Sequence, residues 1–136
     1  MDIVILVGRI LFAAVFLFSA VAHFSQAKAM TGFAQSKGVP LAGPAVLGGG
    51  VLLGLGGLSV LLGIWPDLGA LLLVVFLVPT AVLMHGFWRE SDPQARQMEQ
   101  IQFFKDLGLA GAALTLFGLF ATAGDEVGLT ITGPLF

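Results

Sequence analysis

The sequence predicts an all-α membrane protein, a four-transmembrane-helix bundle forming a single domain over residues 1–136. Three observations predict it. Of the 136 residues, 57 % are apolar and only 10 % are charged, whereas a soluble domain of this size carries about a quarter charged residues. The charges are clustered, and they leave four apolar runs at 3–24, 44–64, 68–87 and 101–123, each near the roughly 20 residues that a helix needs to cross a bilayer. Finally, runs such as LLLVVFLVPTAVLM show no period-two alternation. That excludes barrel strands and leaves helices as the structure that satisfies every backbone group in lipid.

The first run, Ile3–Phe24, is broken only by Arg9. Its Ala20-Val21-Ala22 resembles a cleavage box, but Asp2 stands where a signal peptide wants a lysine and the apolar stretch is long, so cleavage is not expected. A linker follows at Ser25–Gly43, long enough for a short interfacial helix at Gln26–Ser36 and a turn at Lys37-Gly38-Val39-Pro40. This first linker is expected to be partly ordered on the membrane surface. The second run, Pro44–Ile64, contains no charge and carries Gly50-Val-Leu-Leu-Gly54 with Gly49, Gly56 and Gly57 beside it. Small residues let helices approach closely where lipid removes the hydrophobic drive, so this face is expected to pack within the chain, with an oligomer face as the alternative.

Trp65-Pro66-Asp67 reads as a tight hairpin, with an interfacial tryptophan and Asp67 as N-cap of the third helix. Pro79 falls inside that third run and is expected to kink it. Arg89–Gln100 is the one strongly polar stretch, and Ser91-Asp92-Pro93 within it has the form of a helix start. The fourth run has Lys105 and Asp106 in its first turns and then Gly108, Gly111, Ala112, Thr115 and Gly118 as a second small-residue face. Residues 124–136 form an acidic and then apolar tail.

Four spans put both ends of the chain, Arg9 and the Trp65 hairpin on one side. Lys28, Lys37, Arg89, Arg96 and Lys105 fall on the other. The excess of basic residues marks the cytoplasmic side, so the termini are expected outside. With no cysteine, disulfides, thiolate nucleophiles and cysteine-ligated metals are excluded. A net charge of −2 gives no basic surface for a nucleic acid. No Ser/His/Asp, paired-carboxylate or phosphate-loop pattern is present, so no catalytic residue is named and no activity of the chain alone is expected.

The polar residues at depth are few. Arg9 is costly in lipid unless it is paired or snorkels, and the acids on its side include Asp67 and Asp125, the candidate partners of a structural ion pair. His23 ends the first helix and His85 the third, on one membrane face. Trp88 follows His85 closely, and Gln102, Lys105 and Asp106 open the fourth helix there. Only at this face can groups from three helices converge. One reading is an interfacial polar belt that locks the helices, with Asp106 bonded to a histidine and more costly to remove than Glu90 or Asp92. Another is a ligand site, since a quinone headgroup wants donors beside an apolar slot for its tail; a lipid could use the same groups. A haem or metal would require the two histidines to face each other, and no metal ligand set is assigned.

The residues also resemble a known family. Gly8-Arg9-Ile-Leu-Phe, Ser19-Ala and His23-Phe24, then Gly32-Phe and Ser36-Lys-Gly38-Val-Pro40, then Gly56-Gly57-Leu-Ser-Val-Leu-Leu-Gly63, His85-x-Phe87-Trp88 and Gln102-Phe-Phe-Lys105-Asp106 together resemble the DoxX family of small four-helix membrane proteins. Family members often carry a Glu in the second helix, where Leu53 stands here, and a Lys-Asn pair in place of Lys105-Asp106. The resemblance implies a multi-pass protein of a bacterial cytoplasmic (inner) membrane, linked to quinone-coupled or oxidoreductase complexes. On that basis the chain is expected to be a non-catalytic subunit or anchor of a redox-linked membrane complex, with protein partners or copies of itself in the bilayer. The alternative is a quinone- or lipid-binding protein with its site near His23, His85 and Lys105. A transporter ranks last, because Arg9 is the only charge approaching mid-membrane.

Overall fold

The computed structural model describes all residues, 1–136. Five α-helices follow in order: α1 (Asp2–Ser25), α2 (Ala27–Ser36), α3 (Ala42–Leu62), α4 (Pro66–Met84) and α5 (Pro93–Ala123). Short 3-10 turns at Phe87–Arg89 and Gly124–Glu126 flank α5. No strand is present. Four of the helices are long and apolar enough to span a membrane, and their outer faces expose Leu11, Phe18, Val21, Leu55 and Val75, as lipid-facing surfaces should.

Each spanning helix packs on the next in the chain, α1 on α3, α3 on α4 and α4 on α5, while α2 lies against α3. One buried cluster is shared by all four spans, with Phe16 and Ala20 from α1, Leu53 and Val60 from α3, Leu73 and Leu77 from α4, and Ala110 and Ala113 from α5. A second, smaller cluster of Ala34, Ala42 and Val46, backed by Met30 and Met84, attaches α2. The glycines of α3 do close the bundle. A side chain at Gly56 would meet Leu73 and the Gly69 carbonyl at under 3 Å, and one at Gly50 would meet His23 and Phe24. The small face of α5 does not. Gly108, Gly111 and Gly118 have open space beside them, because Ala110 and Ala113 make the buried contact instead.

Two boundaries differ from expectation. The fourth spanning helix begins at Pro93, a full two turns before the apolar run, because Asp92 accepts the Ala95 N–H and caps it there (2.9 Å). Its 31 residues extend about 46 Å, so the first turns project past a hydrocarbon core of about 30 Å. Asp67, in turn, is not an N-cap. Trp65 occupies that position in the left-handed region with Pro66 following it, and Asp67 is turned inward and fully buried.

The hairpin end is closed by the segment after α5. Ile131 and Thr132 donate to the carbonyls of Leu62 and Gly63, and Trp65 donates to Gly133. Asp67 accepts from Leu135 and Phe136 at 2.7–2.9 Å. Arg9 does not form the ion pair expected with Asp67 or Asp125. It donates to the carbonyls of Val60 (2.8 Å), Leu61 (2.7 Å) and Leu129 (2.9 Å). The physical reason lies in the end of α3, whose last carbonyls have no helical partner. The Ser59 carbonyl is met by the N–H of Ile64, and that of Leu62 by Ile131. Arg9 satisfies the remaining two and places its charge at the negative end of the helix dipole. Asp125 stays exposed.

Candidate functional site

At the opposite end, α1, α2, α3, α4 and the start of α5 line an open-sided cavity of about 730 Å³, within the range of small-molecule sites. Most of its wall is apolar, with Met30, Phe33, Val46, Leu52, Phe76 and Leu83 prominent. His23, His85, Lys105 and Asp106 gather the polar groups. Helix direction explains the meeting. α1 and α4 run the same way and end here, and α5 starts here.

The glycines of α3 also shape this wall. Gly49 and Gly50 lie against His23 and Phe76, so the imidazole of His23 fits against the α3 backbone, edge-on to Phe76 at 5.6 Å. The ring is buried and its Nδ1 lies 2.8 Å from the Ser19 carbonyl. A carbonyl only accepts, so Nδ1 carries the hydrogen and the neutral ring keeps Nε2 as an acceptor.

His85 sits between two carboxylates. Its Nδ1 is 2.7 Å from Glu99 Oε2 and its Nε2 is 3.8 Å from Asp106 Oδ2. The Asp106 side chain is only 8 % exposed, and the Lys105 ammonium also stands 3.8 Å from it. Both approaches are too long for hydrogen bonds. The hydrogen bond expected between Asp106 and a histidine is thus not formed; His85 only stands near the carboxylate, and both carboxylate oxygens remain open acceptors. Lys105 donates to Gln102.

Of the six residues expected at this site, His23, His85, Lys105 and Asp106 line the cavity. Gln102 reaches it only through Lys105. Trp88 packs with Phe87 and Phe103 and under the Arg89 guanidinium, outside the wall. Glu99 is not among those six, because it precedes the apolar run by which the sequence marks the fourth helix. It lies seven residues before Asp106 and so on the same face of α5, a spacing the Ser91-Asp92-Pro93 start would have exposed. Glu99 also accepts from Lys37 (2.8 Å), which bonds Glu90 as well (3.0 Å). This clamp holds the end of α2, one wall of the cavity, to the start of α5. The hydrogen bond that Lys37 donates to Glu99 is the main reason its pKa lies above the ordinary lysine value; partial burial opposes it and Glu90 reinforces it.

Fold and site together define a multi-pass helical membrane protein with an amphiphile-sized cavity near one end of its spans. The DoxX family model matches residues 4–86, α1 through α4 and more than half of the chain, and the protein belongs to the DoxX family. No curated protein and no solved structure matches the chain.

Proposed function

We propose that the protein binds a quinone-class amphiphile, a polar ring on an apolar tail, in the cavity bounded by His23, His85, Lys105 and Asp106. The observation that carries this reading is the pairing of a largely apolar 730 Å³ cavity with one polar corner. A ring headgroup can hydrogen-bond at that corner while its tail lies along Phe33, Leu52 and Phe76. On this reading the site lies among the cytoplasmic headgroups of a bacterial inner membrane, supported by the count of Lys28, Lys37, Arg89, Arg96 and Lys105 on that side, which attract anionic lipid, with both ends of the chain outside. Reporter fusions in the α2 region and after α5 test that orientation.

A second reading, a subunit or anchor in a redox-linked complex, is favoured by the open small-residue face of α5 at Gly108, Gly111, Ala112 and Thr115, which would let a partner helix approach. Purification in mild detergent, with mass spectrometry of extracted lipids and of proteins, tests both. A quinone retained by the chain alone supports the first, and a stoichiometric partner supports the second. Absence of retained quinone, with no binding of added short-tail quinone or quinol, rejects the first.

A further inference from the structure

The cavity's polar corner has a directional bias that reading it as a generic quinone site does not use. His23 gives its only neutral-ring hydrogen to Ser19, so Nε2 presents a lone pair. No buried side-chain nitrogen or oxygen lacks a partner, so this unbonded Nε2 is an accessible atom of a cavity-lining residue. Asp106 presents two carboxylate oxygens with no hydrogen bond. Thr80, also in the wall, gives its hydroxyl hydrogen to the Phe76 carbonyl (2.7 Å) and keeps its lone pairs. When neutral, His85 spends its hydrogen on Glu99 and keeps an acceptor at Nε2; when charged, that Nε2–H is aimed toward Asp106.

Donors are scarce by comparison. Lys105 is half exposed, engaged by Gln102 and beside Asp106, and the Ser19 hydroxyl can serve either way. A quinone carbonyl only accepts, so it would meet mostly lone pairs. A phenolic hydroxyl donates, and a carboxylate is its strongest acceptor partner. A site built of acceptors rejects an analogue that lacks the matching donor, because its own polar groups then lose their water without replacement.

We infer that the cavity selects the hydroxyl-bearing, reduced form of a quinone-class amphiphile over the carbonyl form, with His23 Nε2 and the Asp106 carboxylate as the accepting groups. This rests on the proposed quinone-class function, and its test separates the two.

The experiment uses the full chain in lipid nanodiscs, with binding read by native mass spectrometry under argon. Three probes of matched tail are compared: decylhydroquinone, its dimethyl ether and decylbenzoquinone. The hydroquinone should bind at least tenfold more tightly than either of the others, a difference of about 1.4 kcal/mol. Asp106→Asn and His23→Gln each replace an acceptor with a group that also donates, and each should cut that preference to below about threefold. Arg96→Gln, on the exposed start of α5, should leave it unchanged. If His23→Gln does not fold, Asp106→Asn decides alone.

Binding of none of the probes would overturn the quinone-class function itself. Equal or tighter binding of the benzoquinone would leave that function standing and overturn the selectivity. A hydroquinone preference that survives substitution of the accepting groups would overturn their assignment.

Discussion

At the hairpin end, Arg9 is 1 % exposed and Asp67 is fully buried, and both are surrounded by backbone. Arg9 points three donors at three carbonyls, and Asp67 takes N–H groups from Leu135 and Phe136. At the other end of the bundle, Asp106 is almost as buried, yet its oxygens accept no hydrogen bond, and Lys105 Nζ and His85 Nε2 each stand 3.8 Å away. The difference separates two uses of buried charge. Where backbone groups bond every polar atom of the side chain, the charge is part of the fold. Where the capacity is left open into a cavity, the charge is available to something else.

The sharpest way to break this comparison is at Arg9. Arg9→Met keeps the apolar stem and removes the guanidinium, leaving the carbonyls of Val60, Leu61 and Leu129 without donors at the end of α3. Each carbonyl left without a donor should cost about 1–3 kcal/mol, and the sum is read as a loss of folded protein in detergent unfolding. Arg9→Lys should not restore it, because an ammonium lacks the planar fork that reaches separate carbonyls at once. Recovery to wild-type stability by lysine would show that charge alone, and not the cap of α3, explains the residue.

Next in size is Asp67. Asp67→Ala removes charge-assisted bonds to Leu135 and Phe136 and should cost about 1.5–3 kcal/mol. The loss should appear locally, as faster cleavage by added protease within residues 127–136 while the bundle stays folded. Unchanged cleavage would mean that the backbone pairs from Ile131 and Thr132 to the hairpin hold this segment unaided.

The Lys37 clamp is weaker, being partly open to solvent. Lys37→Met should cost about 1 kcal/mol or less, and its clearer signature is pH. Since the folded pKa is raised, chiefly by Glu99, the clamp contributes in full below the ordinary lysine value of about 10.4. That contribution disappears as pH rises through the higher folded value. A spin label at Gln35, on the exposed side of α2, should keep constant mobility through neutral pH and loosen only above that value. In Lys37→Met the label should already be loose at neutral pH and show no such step.

Much of this architecture was legible in the sequence. Fourteen charges cannot solvate a globule, so the four spans follow from the spacing of charges, and the length of the first linker left room for the helix that is α2. Helix direction placed His23, His85, Lys105 and Asp106 at one end for the same reason. Partners were less legible. Asp67 looked like a cap because Trp-Pro-Asp fits a helix start, and nothing local shows that residues 131–136 return to it. Arg9 suggested a carboxylate because charge invites countercharge, whereas the unpaired carbonyls of a helix end are invisible in composition. Glu99 was hidden by equating a helix with its apolar run. Lipid thickness decides which residues are apolar, but the cap at Asp92 decides where the helix begins.

The smallest expected effect is also the most discriminating. From the sequence, removing Asp106 should hurt folding more than removing Asp92 in the polar loop. The geometry reverses that order. Asp92 accepts the Ala95 N–H at the start of α5, so Asp92→Ala should cost about 1 kcal/mol, the usual loss for an N-cap. Asp106→Asn gives up no hydrogen bond and only long approaches from Lys105 and His85, while relieving a carboxylate held away from water. Its stability should therefore lie within about 0.5 kcal/mol of wild type, or slightly above it, as for groups kept at functional sites against stability. Parallel unfolding of the two variants in one detergent checks the order. If Asp106→Asn were the more damaging, Asp106 would belong with Arg9 and Asp67 as part of the fold, and the contrast between the two ends would collapse.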